Sequence, residues 1–186
     1  VFRDTGHTGE STLTQVVGAE PAIVCRSNGL SEFTMTACEF ENTYKSTGNG
    51  SAIYLYAQDS TSDAGYVQVH SFKLTNCTFT NCKAAKRGGA ISIQSYVHKG
   101  SISGCVFTNC TAGTYGGAME LSGNLGRFTV SNSTFTDCSS VERGGGVALL
   151  SDSITRSNGN IRYSRSNAVT FTGCTFTNCD ASNNHG

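Results

Sequence analysis

Residues 77–91 read CTFTNCKAAKRGGAI, and the same spelling returns at residues 105–119 as CVFTNCTAGTYGGAM. It returns again at residues 133–147 as STFTDCSSVERGGGV, with Ser133 where the first cysteine stood. Two further copies open at Cys38 and Cys174. Counting from the first cysteine, a phenylalanine stands two residues on in every copy: Phe40, Phe79, Phe107, Phe135 and Phe176. Four residues on come Asn42, Asn81, Asn109, Asp137 and Asn178, and five on come Thr43, Cys82, Cys110, Cys138 and Cys179. The three central copies are evenly spaced, from Phe79 to Phe107 to Phe135. Self-similarity at a fixed period marks a repeat architecture.

Parity gives the shape of one unit, because side chains alternate faces along a strand. Apolar pairs precede each first cysteine: Phe33/Met35, Phe72/Leu74, Phe128/Val130 and Val169/Phe171, with Ile102 paired to Gly100. The next inward pair is the first cysteine and its phenylalanine. Between the two pairs the parity slips by one, at Thr75-Asn76, Ser103-Gly104, Ser131-Asn132 and Thr172-Gly173. Asn and Gly tolerate left-handed dihedrals, so the chain can turn a corner there. A second slip falls at the Thr-Asn before the second cysteine. A third strand follows the glycines, with Ile53/Leu55, Ile91/Ile93, Met119/Leu121 and Val147/Leu149 facing inward.

Three short strands and their corners, all fitted between Phe79 and Phe107, leave no room for a crossover helix. The pattern predicts an all-β, right-handed parallel β-helix of about five rungs, each of three short strands, since parallel crossovers are right-handed. Like residues then stack about 4.8 Å apart. The phenylalanines form an aromatic column and the asparagines an interior ladder of side-chain amides. A single domain over residues 1–186 is expected, with 1–32 a less regular first rung or cap and 33–186 the repeats. The absence of an initiator Met suggests a processed product or a piece of a longer array.

The units resemble repeats of the polymorphic membrane protein family, known from chlamydial surfaces, which is marked by G-G-A-[ILV] and F-x-x-N. Matching residues are Gly88-Gly89-Ala90-Ile91, Gly116-Gly117-Ala118-Met119 and Gly144-Gly145-Gly146-Val147, with a degenerate Gly50-Ser51-Ala52-Ile53. Phe and Asn here are separated by one residue, as in Phe79-Thr80-Asn81. The resemblance runs from about Phe33 to the end and implies a β-helix used as a surface passenger or adhesin.

Charged residues are 14% of the chain and the net charge is +0, so no basic stripe for nucleic acid is expected. No apolar run is long enough for a membrane-spanning segment. Nine cysteines suggest an oxidising, extracellular or cell-surface setting, the alternative being a buried ladder of free thiols. The disulfide candidates are Cys77/Cys82, Cys105/Cys110 and Cys174/Cys179 within units, and Cys25 with Cys38. Pairing between rungs is the other arrangement. The cysteine spacing and the scattered His7, His70, His98 and His185 suggest no metal, and no cofactor is implied.

Two long connections, at 56–71 and 150–168, leave the third strand on one side of the solenoid. The second carries Arg156, Arg162, Tyr163 and Arg165, a candidate surface for a glycan or protein ligand. Asp59 and Asp63 in the first are a weak calcium pattern. Asn49, Asn76 and Asn132 are glycosylation candidates, and Asn109 is expected to stay bare inside the ladder. The acidic residues form no column, so the expected function is a non-catalytic extracellular repeat protein, adhesin-like or filament-forming by end-to-end self-association. The competing class is a carbohydrate-binding or polysaccharide-cleaving β-helix protein.

Overall fold

The computed structural model describes residues 12–14, 17–18, 22–26, 30–56, 68–123, 125–150, 153–155, 161–163 and 169–183. Strands from successive units lie side by side in four sheets, all paired in parallel. A long face is built from Leu30–Thr36, Gln68–Thr75, Tyr96–Ser103, Leu125–Ser131 and Val169–Thr172. A phenylalanine face follows, from Thr12–Thr14, Glu39–Glu41, Thr78–Thr80, Val106–Thr108, Thr134–Thr136 and Thr175–Thr177. A short face of two-residue strands comes next, such as Lys83–Ala84 and Thr111–Ala112. The glycine-led face, from Ile23–Arg26, Ile53–Tyr56, Ile91–Gln94, Met119–Ser122 and Val147–Leu150, completes the coil.

Each coil therefore has four strands where three are expected from sequence. The missed one holds two residues, too few to show alternation. Its single inward side chain is small in four coils, Ala84, Ala112, Ser140 and Ala181, and is Lys45 in the coil before them, all buried. Thr12–Thr14, with Leu13 opposite Phe40, adds a strand to the phenylalanine face before the first recognised unit.

Corners fall where parity slips. Between the long and phenylalanine faces the left-handed residues are Ala37, Asn76, Gly104, Asn132 and Gly173, with φ from 48° to 64°. Between the phenylalanine and short faces they are Asn42, Asn81, Asn109, Asp137 and Asn178. Gly50, Gly88, Gly116 and Gly144 turn the third corner, again at positive φ, which glycine adopts without a Cβ penalty. The second glycine of each pair serves a different need. A Cβ on Gly89 would overlap the Gly117 carbonyl oxygen, and one on Gly117 would overlap that of Gly145. Backbone packs on backbone there.

Two aromatic columns fill the core. Rings Phe40, Phe79, Phe107, Phe135 and Phe176 stack at 4.9, 4.7, 4.8 and 4.6 Å with planes within 4° of parallel. The first four are 0% exposed; Phe176, with its second ring face uncovered by another phenylalanine of the column, is 46% exposed. On the long face Phe33 stacks on Phe72 at 5.1 Å. Gly100 interrupts that column, and the Phe72 and Phe128 rings lean across it to 6.2 Å. The missing side chain is replaced by a tilted neighbour, leaving no hole in a close-packed core.

Candidate functional site

The outward side of the glycine-led face carries the densest buried polar cluster among the described residues. Alternation puts Ile91, Ile93, Met119 and Leu121 inside, so Ser92, Gln94, Glu120 and Ser122 point away from the core. Register aligns Tyr54, Ser92, Glu120 and Ala148 in one rank. Ser92 and Glu120 are nevertheless fully buried. Ser92 Oγ donates to Glu120 Oε2 at 2.6 Å, and Gln94 Nε2 donates to the same oxygen at 3.4 Å. Tyr54 Oη donates to Gln94 Oε1 at 3.1 Å and accepts from Asn49 Nδ2 at 3.4 Å. Arg87 Nη1 lies 3.9 Å from Glu120 Oε1, which has no hydrogen-bond partner, as is true of the buried Ser122 Oγ.

Burial pushes the Glu120 carboxyl above its ordinary value of 4.5, against the opposing pull of Ser92, Gln94 and Arg87. Tyr54 is pushed up as well, chiefly by burial. A carboxyl raised on folding costs stability only once the unfolded chain ionises. Below the ordinary glutamate value both states hold the proton. As pH rises past it the unfolded state loses the proton first, and stability falls until the folded group ionises too. Glu120→Gln is expected to abolish that decline while keeping an acceptor for Ser92. Urea midpoints of both proteins from about pH 4 to 8 measure it; parallel pH profiles would contradict the assignment.

The cysteines stand in two inward columns that run alongside the phenylalanine column, one on either side of it. Cys77, Cys82, Cys105, Cys110, Cys138, Cys174 and Cys179 are free thiols, five of them buried and two, Cys174 and Cys179, partly exposed. The pairs Cys77/Cys82, Cys105/Cys110 and Cys174/Cys179 are therefore not disulfides in this structure. Within a unit a corner and the intervening phenylalanine separate the two positions. Sulfur neighbours run up the stack: Cys77 meets Cys105 and Cys38, and Cys110 meets Cys82 and Cys138. The Cys77–Cys105 contact holds Cys77 below the ordinary thiol value and pushes Cys105 above it. Cys25 lies on the strand Ile23–Arg26, but its side chain, and so its pairing with Cys38, is outside the described residues.

A second job for these thiols is visible. Each follows a left-handed corner residue and reaches back to the carbonyl two residues earlier, as Cys77 to Thr75 O at 3.4 Å and Cys138 to Thr136 O at 3.4 Å. Ser133 makes the same bond to Ser131 O at 2.9 Å, and Thr43 bonds Ser51 Oγ at 2.7 Å instead. Cysteine here acts as a small buried group with a weak donor, and hydroxyl residues substitute for it where a partner is in reach.

The asparagine ladder forms, but on an exposed corner and not in the interior. Asn81 Nδ2 donates to Asn42 Oδ1 at 2.9 Å, Asn109 to Asn81 at 2.7 Å and Asn178 to Asp137 at 3.0 Å. The left-handed conformation sends these side chains outward, and Asp137, which has no amide, cannot donate to Asn109. Asn76 and Asn132 are exposed at the first corner, whereas the Asn49 amide is taken up by Tyr54 and the Arg87 N–H. Asp59 and Asp63 lie outside the described residues, as do Arg156 and Arg165. Arg162 and Tyr163 stand on Ile161–Tyr163, which pairs antiparallel with Ser153–Thr155 as a hairpin inserted between coils; their side chains are not described.

One constellation escapes a linear reading. His70 and His98, and likewise Lys99 and Arg127, are separated by the same step as Phe79 and Phe107, one coil of the repeat. Stacking gathers them on the outer side of the long face, so a short basic stripe exists despite the net charge of +0.

These parallel coils, with like residues touching along their columns, define a parallel β-solenoid. The family model for the right handed beta helix region matches residues 21–186, and the chain belongs to that family. No curated protein and no solved structure matches it. Among the described residues no helix is long and apolar enough to cross a membrane, and no group of three or more His, Cys, Asp or Glu is placed to hold a metal ion.

Proposed function

We propose that the protein is a non-catalytic structural element of the cell surface or extracellular space, adhesin-like or filament-forming. One contrast carries this reading. The phenylalanine column repeats one residue through five coils, whereas an outer rank of the long face changes at every coil, from Glu32 through Ser71 and Lys99 to Arg127. The chain keeps its scaffold fixed and changes what it displays, as solenoids built for presentation do. The polymorphic membrane protein spelling supports surface display, and the exposed sequons Asn76 and Asn132 suit it. The cysteine count does not add support, because buried thiols are at home in either redox setting.

The buried Glu120, already held by Ser92 and Gln94, is poorly suited to act on a polymer outside the sheet. Two assays test the reading together. Antibody labelling of intact cells is expected to decorate their surface, and incubation with uronic-acid polymers is expected to release no unsaturated product. Labelling only after permeabilisation, or product formed at a rate that scales with protein, would overturn it.

A further inference from the structure

The outer side of the long face holds an arrangement that folding alone does not favour. Lys99 lies directly opposite Arg127 in the parallel register, one coil apart, and both are exposed. Like charges placed opposite each other in a sheet are destabilising. Neither has an ion-pair partner among the described residues. His70 and His98, both exposed, stack one coil apart with ring centroids at 5.1 Å. The exposed Lys73 completes the group on the neighbouring strand Gln68–Thr75. The carboxylate among the described residues of this sheet is Glu32, two coils from Lys99 along the same rank and accepting from Thr34 Oγ1.

We propose that this face, through His70, Lys73, His98, Lys99 and Arg127, binds a sulfated polysaccharide laid along the solenoid axis. Exposed cations gain little from single ion pairs, so a ligand must present several charges at close spacing. A sulfated chain does so, and its groups accept hydrogen bonds from the Arg127 fork and the Lys99 ammonium together. The adjoining outward residues Ser101 and Thr129 are hydroxyl-bearing and offer partners to sugar hydroxyls. Nucleic acid is the poorer match, because the stripe covers only three coils and the chain as a whole is neutral. The inference deepens the surface-display reading, since such chains are found outside cells, but it stands on binding and not on location.

The test is retention of the purified chain on immobilised heparin-type polysaccharide, with affinity measured against salt. The wild-type chain is expected to bind, and Lys99→Glu/Arg127→Glu to lose about tenfold or more in affinity. Lys83→Glu/Lys86→Glu makes the same change in net charge on and beside the short face, which is separated from the long face by the phenylalanine and glycine-led faces, and is expected to bind as the wild type does. Circular dichroism of each variant checks the fold. Equal loss in both variants would reduce the effect to net charge and overturn the site. So would absence of binding, or tighter binding of duplex DNA or of a non-sulfated polyuronate than of the sulfated chain. None of these failures would touch the surface-display reading, which rests on cell labelling and the absence of turnover.

Discussion

Gly117→Ala is expected to lose about 3 kcal/mol or more of stability, enough to unfold a marginally stable domain. The reason is not φ, which at Gly117 is unremarkable beside the left-handed Gly116. A methyl group there would overlap the Gly145 carbonyl oxygen, and it would come within 2.5 Å of Ser139 N and 2.6 Å of Ser139 O. All three obstacles are backbone of the next coil, so no rotamer change relieves the overlap. The coils would have to separate locally, and Gly117 N donates to Gly144 O at 3.1 Å in that very seam. Gly100→Ala is the informative comparison. Its new methyl would meet the Phe128 ring, a side chain that can tilt, and the loss is expected to be smaller. Urea denaturation of the two variants compares them; a Gly117→Ala midpoint equal to that of the parent would show that the coils are not packed backbone to backbone.

Phe107→Ala is the second large loss, about 3–5 kcal/mol. The Phe107 ring is fully buried and stacked on both sides, on Phe79 at 4.7 Å and on Phe135 at 4.8 Å. Truncation removes both contacts and leaves a gap that rigid neighbouring coils cannot close. Phe176→Ala is expected to cost much less, because Phe176 stacks on Phe135 alone and is already 46% exposed. If the two truncations cost the same in chemical denaturation, the column is not what holds the coils together.

Much of this architecture is legible in the linear sequence because a solenoid writes its contacts at a fixed interval. The phenylalanine column, the Asn and Gly corners and the paired glycines are each read directly from the step between Cys77 and Cys105. The short face is not, since two residues cannot show a period. The thiol arrangement is misread for a related reason. Cysteines five apart look like partners along the chain, but the corner after Asn81 and Asn109 turns them into members of separate columns. The ladder is seen but placed on the wrong side, because sequence gives the left-handed corner without saying which way its side chain projects. Glu120 carries no repeating signal, with Ser92 and Ala148 beside it in register, so its burial is a property of tertiary structure. The basic stripe could be found by aligning outward residues between coils, as Lys99 with Arg127, and is invisible to net charge.

The central claim is that successive units, such as those of Phe79, Phe107 and Phe135, lie on adjacent coils in parallel register. Nuclear Overhauser contacts between phenylalanine rings in solution test it most directly. The account predicts ring-to-ring cross-peaks for Phe79 with Phe107 and for Phe107 with Phe135, and none for Phe79 with Phe135, which sit two coils apart. Cross-peaks joining Phe79 to Phe135, or none linking the neighbouring pairs, would contradict it.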